Sequence, residues 1–196
     1  MKHKAVFLDR DGTIIRDTNY LKDISEIVFY KGAAGALKEL RNLGFKLVVI
    51  SNQSGIARGL FTARDVEKVN AFIQRKLALK GARIDRYYYC PHITNDRCGC
   101  RKPKTGMLKK AARDLHIDIK RSFIIGDKLT DLELGRNACI PAILVRTGRG
   151  VKELKTSKKR FFLIARNLKK AVEIIRKAEL SVKLSLRRDV MIWRKE

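Results

Sequence analysis

An apolar run, "VFLDRDGTII" from Val6 to Ile15, closes on two acids one residue apart, Asp9 and Asp11. Carboxylates that close repel each other unless something positive lies between them. A hard cation meets that need, because Mg2+ takes oxygen ligands and completes its octahedron with carboxylates, water and substrate phosphate. Asp127, at the end of "SFIIGD", supplies a further carboxylate, so Asp9 and Asp127 are expected to share one ion. Asp11 is expected to reach the same place, since strand residues two apart point the same way. Gly12 and Thr13 suit a tight turn. Ser51 closes "FKLVVIS" and opens "SNQSGIARG", a Gly-containing loop able to offer amides to an anion. Lys102, in "CRKPKTG", gives a compact positive charge for a phosphoryl oxygen. A lone Asp at a strand end would merely terminate it. Together these residues describe phosphoryl chemistry.

A second cluster lies in "CPHITNDRCGC", where Cys90, His92, Cys98 and Cys100 offer three thiolates and an imidazole. That set matches a closed tetrahedral Zn2+ site with no position left for substrate, so the ion is read as structural. The competing reading is a disulfide. It is weakened because Cys98 and Cys100 are too close for an easy bridge and the chain reads as cytosolic. The loop runs straight into Arg101 and Lys102, so a metal there would aim both cations at the phosphate pocket. Cys139, between Ala138 and Ile140, reads as a small core residue.

Short apolar runs alternate with amphipathic segments and supply the frame for these groups. "KAVFLD", "FKLVVIS", "IDRYYYC", "SFIIGD" and "PAILVRTG" read as strands, with "RFFLIAR" as a possible sixth. Between them, "AAGALKELRNLG" carries Leu37, Leu40 and Leu43 at helical spacing and stops at Gly44. "TARDVEKVNAFIQRKLALKG" is a helix capped by Thr62 and stopped by Gly81. Helices are also read at "TGMLKKAARDLHI", "TDLELGRNA" and "NLKKAVEIIRKAEL". This alternation predicts the α/β class: a Rossmann-like, doubly wound, mainly parallel sheet with helices on both faces. Ligands in such sheets sit at the carboxyl ends of the strands, which is where the polar residues fall.

The order of "FLDRDGT", "SNQSG", the Lys of "RKP" and "GDKLTD" resembles the four motifs of the haloacid dehalogenase superfamily of phosphatases, from Asp9 to Asp131, with the strand pattern reaching about Gly150. The resemblance implies that Asp9 is the nucleophile and that Asp11 protonates the leaving group and then activates water. It implies a catalytic Mg2+ held by Asp9, Asp127 and the backbone carbonyl of Asp11, with Ser51 and Lys102 holding the phosphoryl group. It also implies a fold without a large cap domain, since the gaps between the first three motifs are short. Among zinc-loop members the chain is similar to the heptose 1,7-bisphosphate 7-phosphatases and, next, to the histidinol-phosphate phosphatases. By that likeness a phosphorylated sugar would meet Asp17, Thr18, Asn19, Tyr20, Ser51, Asn52, Gln53, Ser54, Arg101, Lys102 and Lys128. Arg58 and Arg146 are candidates for a second phosphate. The short link between His92 and Cys98 is instead as in the histidinol-phosphate group.

The 196 residues fit one domain, here taken as 1–178 with the zinc loop at 90–100 and a basic extension at 179–196. Lys and Arg number 45 against 20 Asp and Glu, a net +25 that favours anionic partners or reflects a solvated basic surface. Residues 151–196 alone carry fifteen Lys/Arg and five Asp/Glu. That tail is a candidate for adhesion to nucleic acid or acidic surfaces, and a nucleic-acid 3′-phosphatase is the alternative from another substrate class. Its last part, "SVKLSLRRDVMIWRKE", suits an edge strand or an amphipathic helix. No apolar run approaches the ~20 residues of a membrane span, and the N-terminal run is broken by Asp9, unlike a signal peptide. A cytoplasmic monomer is the expectation.

Overall fold

The computed structural model describes residues 2–156 and 163–192, with 182–192 given by backbone alone. Six strands, β1 (Ala5–Leu8), β2 (Lys46–Asn52), β3 (Arg86–Cys90), β4 (Phe123–Gly126), β5 (Ala142–Val145) and β6 (Ile164–Ala165), form one sheet in the order β3-β2-β1-β4-β5-β6. Every neighbouring pair is parallel, with Phe7 opposite Val48 on one side and Ile124 on the other. Parallel strands need long crossovers, and helices fill them: α1 (Ala33–Asn42), α2 (Ala63–Ala78), α3 (Gly106–Asp114), α4 (Leu129–Ala138), α5 (Gly150–Thr156) and α6 (Leu168–Ile192).

The central strands are buried on both faces, which is why they read as unbroken apolar runs. Val6, Leu8, Leu47, Val49 and Ile125 meet one core, made with Leu37 and Leu40 of α1, Val69 and Ile73 of α2, and Val172 and Ile175 of α6. Ala5, Phe7, Val48, Ile50 and Ile124 meet the other, made with Met107, Leu108 and Ala111 of α3 and Leu134 of α4. The α2 start is fixed by a capping box in which Thr62 accepts from the Asp65 amide and Asp65 accepts from the Thr62 amide.

Three local expectations meet a more definite outcome. Residues 181–192 are helix, continuous with α6, and not strand. The segment 168–192 contains no Gly or Pro to stop it, so the helix runs on despite the alternating apolar residues, with Ser181 Oγ donating back to the Lys177 carbonyl at 3.0 Å within it. Cys139 is not core: it is an exposed left-handed residue ending α4. "RFFLIAR" contributes β6 through Ile164 and Ala165, and its residues 160–162 lie outside the described residues.

Among the described residues no domain is inserted over the carboxyl edge of the sheet, and no helix is long and apolar enough to cross a membrane. The chain leaves β1 for β2 on one side and later returns to β4 on the other. That switch opens a crevice beside the end of β1, between Asp9 and Asp127.

Candidate active site

Asp9 follows β1, and its amide donates to the Ile125 carbonyl of β4 at 2.9 Å. Its carboxylate is buried between two ammonium groups, 3.0 Å from Lys102 Nζ and 3.7 Å from Lys128 Nζ. Burial pushes the Asp9 carboxyl up, but the two lysines and the Arg10 amide outweigh it and hold the group below its usual range. Asp9 is therefore a charged, oriented carboxylate at the floor of the site.

Lys102 is equally buried and is fixed from three directions. Its ammonium lies 2.6 Å from Asp131 and 3.0 Å from Asp9. Burial opposes its charge, and those two carboxylates more than restore it. Its backbone is clasped by the Asn52 side chain, which accepts from the Lys102 amide at 3.0 Å and donates to its carbonyl at 3.1 Å. Asn52 thus orients Lys102 as well as edging the cavity.

Asp127 follows β4 directly and is fully buried. One of its oxygens accepts from the Arg149 amide at 2.8 Å, and Oδ1 has no partner among the described residues. Burial, reinforced by Asp9, pushes its carboxyl up to about 8. Carboxylate oxygens of Asp9, Asp127 and Asp131 lie within 4.8 Å of one another. An orphaned buried oxygen in an acidic, oxygen-only cluster fits a small divalent cation. Gly12 makes room for it: its φ of 87° is left-handed, and a Cβ there would collide with the Asp127 carboxylate. Thr147 Oγ1 donates to the Gly12 carbonyl at 2.6 Å, tying the β5 loop to this turn.

The Asp11 side chain does not join that cluster, against the expectation from strand alternation. β1 ends at Leu8, and the chain turns through Arg10 and Gly12, so a period of two no longer applies. The Asp11 carboxylate instead faces the crevice, accepting from Arg10 and from Gln53 Nε2 at 2.9 Å. Gln53 Nε2 also donates to Ser51 Oγ at 2.6 Å, holding the hydroxyl beside the acids.

Above this floor opens a cavity of about 330 Å3. Asp11, Asp17, Asn19, Tyr20, Asn52, Gln53, Ser54, Arg58, Arg101 and Lys128 line it, while Ser51 and Lys102 are buried outside that lining and bonded to its Gln53 and Asn52. Thr18 and Arg146 are exposed and outside the lining. Arg149 was not singled out from sequence, yet it lines the cavity, 3.3 Å from Asp17 and 2.6 Å from the Asn19 side chain. The signal was present, since Arg149 follows a strand end as the other site residues do. Asp131, the last acid of "GDKLTD", is likewise brought in as the partner of Lys102.

Cys90, His92, Cys98 and Cys100 converge at the end of β3. The sulfurs are 3.1 to 3.6 Å apart, and His92 Nδ1 lies 3.3 Å from Cys100 and 3.5 Å from Cys90. A disulfide needs about 2.05 Å, whereas ~2.3 Å zinc–sulfur bonds give tetrahedral edges near these separations. The donors fit zinc. Arg101 Nη1 donates to the His92 carbonyl at 3.0 Å, so the knuckle and the cavity share a wall.

Residues 99–171 match the family model described as HAD-hydrolase-like. The chain is 42% identical over 157 residues to the D-glycero-beta-D-manno-heptose-1,7-bisphosphate 7-phosphatase of Pasteurella multocida, covering 76% of this chain and 85% of that protein. The Escherichia coli K12 protein of the same description is 43% identical over 155 residues, covering 75% and 81%. The chain belongs to the heptose-1,7-bisphosphate phosphatase family of haloacid dehalogenase-like hydrolases. A solved structure of a family member, the D,D-heptose 1,7-bisphosphate phosphatase of B. bronchiseptica with magnesium and phosphate, superposes with a TM-score of 0.82 at 32% identity, covering 89% of this chain and 99% of that one. The Burkholderia thailandensis phosphatase gives 0.67 at 29% identity, over 88% and 98%. Both matches take in most of this chain, so family and fold agree.

Proposed function

We propose that this phosphatase removes the 7-phosphate of D-glycero-D-manno-heptose 1,7-bisphosphate through an aspartyl-phosphate on Asp9. The observation that carries the reading is the Asp9 carboxylate, ionised between Lys102 and Lys128 at the base of a basic cavity. An Asp9 oxygen attacks phosphorus as the ester P–O bond breaks, and Asp11 gives its proton to the leaving sugar oxygen. Asp11, now a carboxylate, takes a proton from water as that water attacks phosphorus. The Asp9–phosphorus bond breaks and phosphate is released. Lys102 and the Ser51 hydroxyl hold the phosphoryl oxygens through both steps.

Asp9, Asp127 and the backbone of Asp11 would hold Mg2+, which when bound supplies positive charge to the phosphoryl oxygens. Cys90, His92, Cys98 and Cys100 would hold a structural Zn2+ that fixes the loop carrying Arg101 and Lys102. The substrate assignment rests on the named relatives and on the cations around the cavity mouth, Arg58, Arg101, Lys128 and Arg149. A sugar bisphosphate suits those cations, whereas the ammonium of histidinol phosphate would face like charge.

The test is phosphate release from both anomers of the heptose bisphosphate, histidinol phosphate and a 3′-phosphorylated oligonucleotide, with Mg2+ and with EDTA. We expect Mg2+-dependent turnover led by a heptose anomer. Preference for either other substrate would overturn the substrate assignment and leave the chemistry standing.

A further inference from the structure

Arg10 stands between the two acids in sequence, and its side chain is almost wholly buried, with 1% exposed. A guanidinium so enclosed is costly unless its donors are paired. Its Nη2 lies 3.0 Å from Asp11 Oδ2, its Nε 3.1 Å from Oδ1 and 3.2 Å from Oδ2, and its Nη1 donates to Asn70 Oδ1 of α2 at 3.1 Å. The planar fork therefore grips one carboxylate, while its far end is anchored on a helix.

We propose that Arg10 is the positioning residue for proton transfer by Asp11, an inference that rests on the acid–base role given to Asp11 above. The Asp11 carboxylate is 13% exposed, lines the cavity and stays out of the Asp9–Asp127–Asp131 cluster. Without the fork, the carboxylate would be free to turn toward a cation at that cluster, away from the leaving oxygen. Arginine suits the task because it stays protonated and never competes as the proton donor. The contacts also single out one oxygen. Asp11 Oδ2 accepts from Arg10 Nη2 and Nε and from Gln53 Nε2, whereas among the described residues Oδ1 meets only Arg10 Nε, which leaves Oδ1 the less engaged oxygen. A plain strut between the β1 loop and α2 would need only the Asn70 contact.

The experiment compares kcat/KM for an alkyl phosphate, whose alkoxide needs a proton to leave, with p-nitrophenyl phosphate, whose phenolate does not. Asp11→Asn is the reference and is expected to lose about 100-fold or more on the alkyl ester relative to the aryl ester. Arg10→Gln is expected to lose about 10–100-fold by the same ratio, with Arg10→Lys between it and wild type. Equal losses on both esters in the Arg10 variants, with Asp11→Asn still discriminating, would make Arg10 a strut and overturn the inference. No discrimination in Asp11→Asn would sink the Asp11 assignment and the inference with it. Should the Arg10 variants fail to fold by thermal melting, Asn70→Ala carries the test. It frees the far end of the fork and is expected to shift the ratio about threefold or more in the same direction. An unshifted ratio there would count against positioning.

Discussion

Asp127 has one oxygen that accepts from the Arg149 amide and one that accepts from no group among the described residues. Burial and the Asp9 charge keep its proton on up to about pH 8. A cation that needs the carboxylate must displace that proton, so Mg2+ affinity should climb with pH, at most tenfold per unit, and level off above about 8. Calorimetry in two buffers of different ionisation enthalpy should find close to one proton released per ion at pH 6.5, and an affinity flat from pH 6 to 8 would contradict this. The same group predicts the stability of the ion-free protein. A carboxyl whose folded pKa is raised binds its proton more tightly folded than unfolded, so the stability that Asp127 contributes is lost as pH rises from about 4 to about 8. Asp9, Ser51, Lys102 and Asp127 were legible in the sequence because each ends a strand or opens a helix beside a recognisable motif. The orientation of Asp11 and the parts played by Asp131 and Arg149 were not, since they depend on a turn and on pairings across the β1–β4 switch.

At the scale of elements, the segment 90–106 joins two sites. Cys100, Arg101 and Lys102 are consecutive, Lys104 Nζ donates to the Cys98 carbonyl at 2.7 Å, and the Gly106 amide donates to the Gly99 carbonyl at 3.2 Å. Loss of the knuckle should therefore reach the phosphoryl pocket. Cys100→Ser is expected to drop the zinc content, measured by elemental analysis, well below one per chain and to lower kcat about 10–100-fold. Zinc loss with kcat unchanged would show that β3 and α3 hold Lys102 unaided. The periodicities that announced these elements worked wherever burial is two-sided for strands or one-sided for helices. They failed to decide 181–192, where Val182, Leu184 and Leu186 alternate like a strand while an uninterrupted helix arrives from Leu168. Helix continuation wins there because nothing in the chain stops it.

For the whole molecule, the strand order concentrates function: β1 lies between β2 and β4, so residues far apart in sequence meet at one crevice. The chain carries a net +25, and Arg58, Arg101, Lys128 and Arg149 line the cavity at that crevice. An anionic bisphosphate should be drawn in, and kcat/KM is expected to fall about threefold or more as salt rises from ~20 to ~300 mM. A flat salt profile would assign the charge to the surface at large. Composition announced an anionic partner without naming it, because charge specifies sign and range but not shape. The central claim is that Asp9 attacks the 7-phosphate and leaves the 1-phosphate in place. Phosphorus NMR of the heptose bisphosphate, with Mg2+ and either wild-type protein or Asp9→Asn, tests it most directly. The account predicts that wild type converts the 7-phosphate resonance to inorganic phosphate, keeps the 1-phosphate, and that the variant is more than about a thousandfold slower while melting normally. Comparable turnover by the variant, or release of the 1-phosphate first, would contradict it.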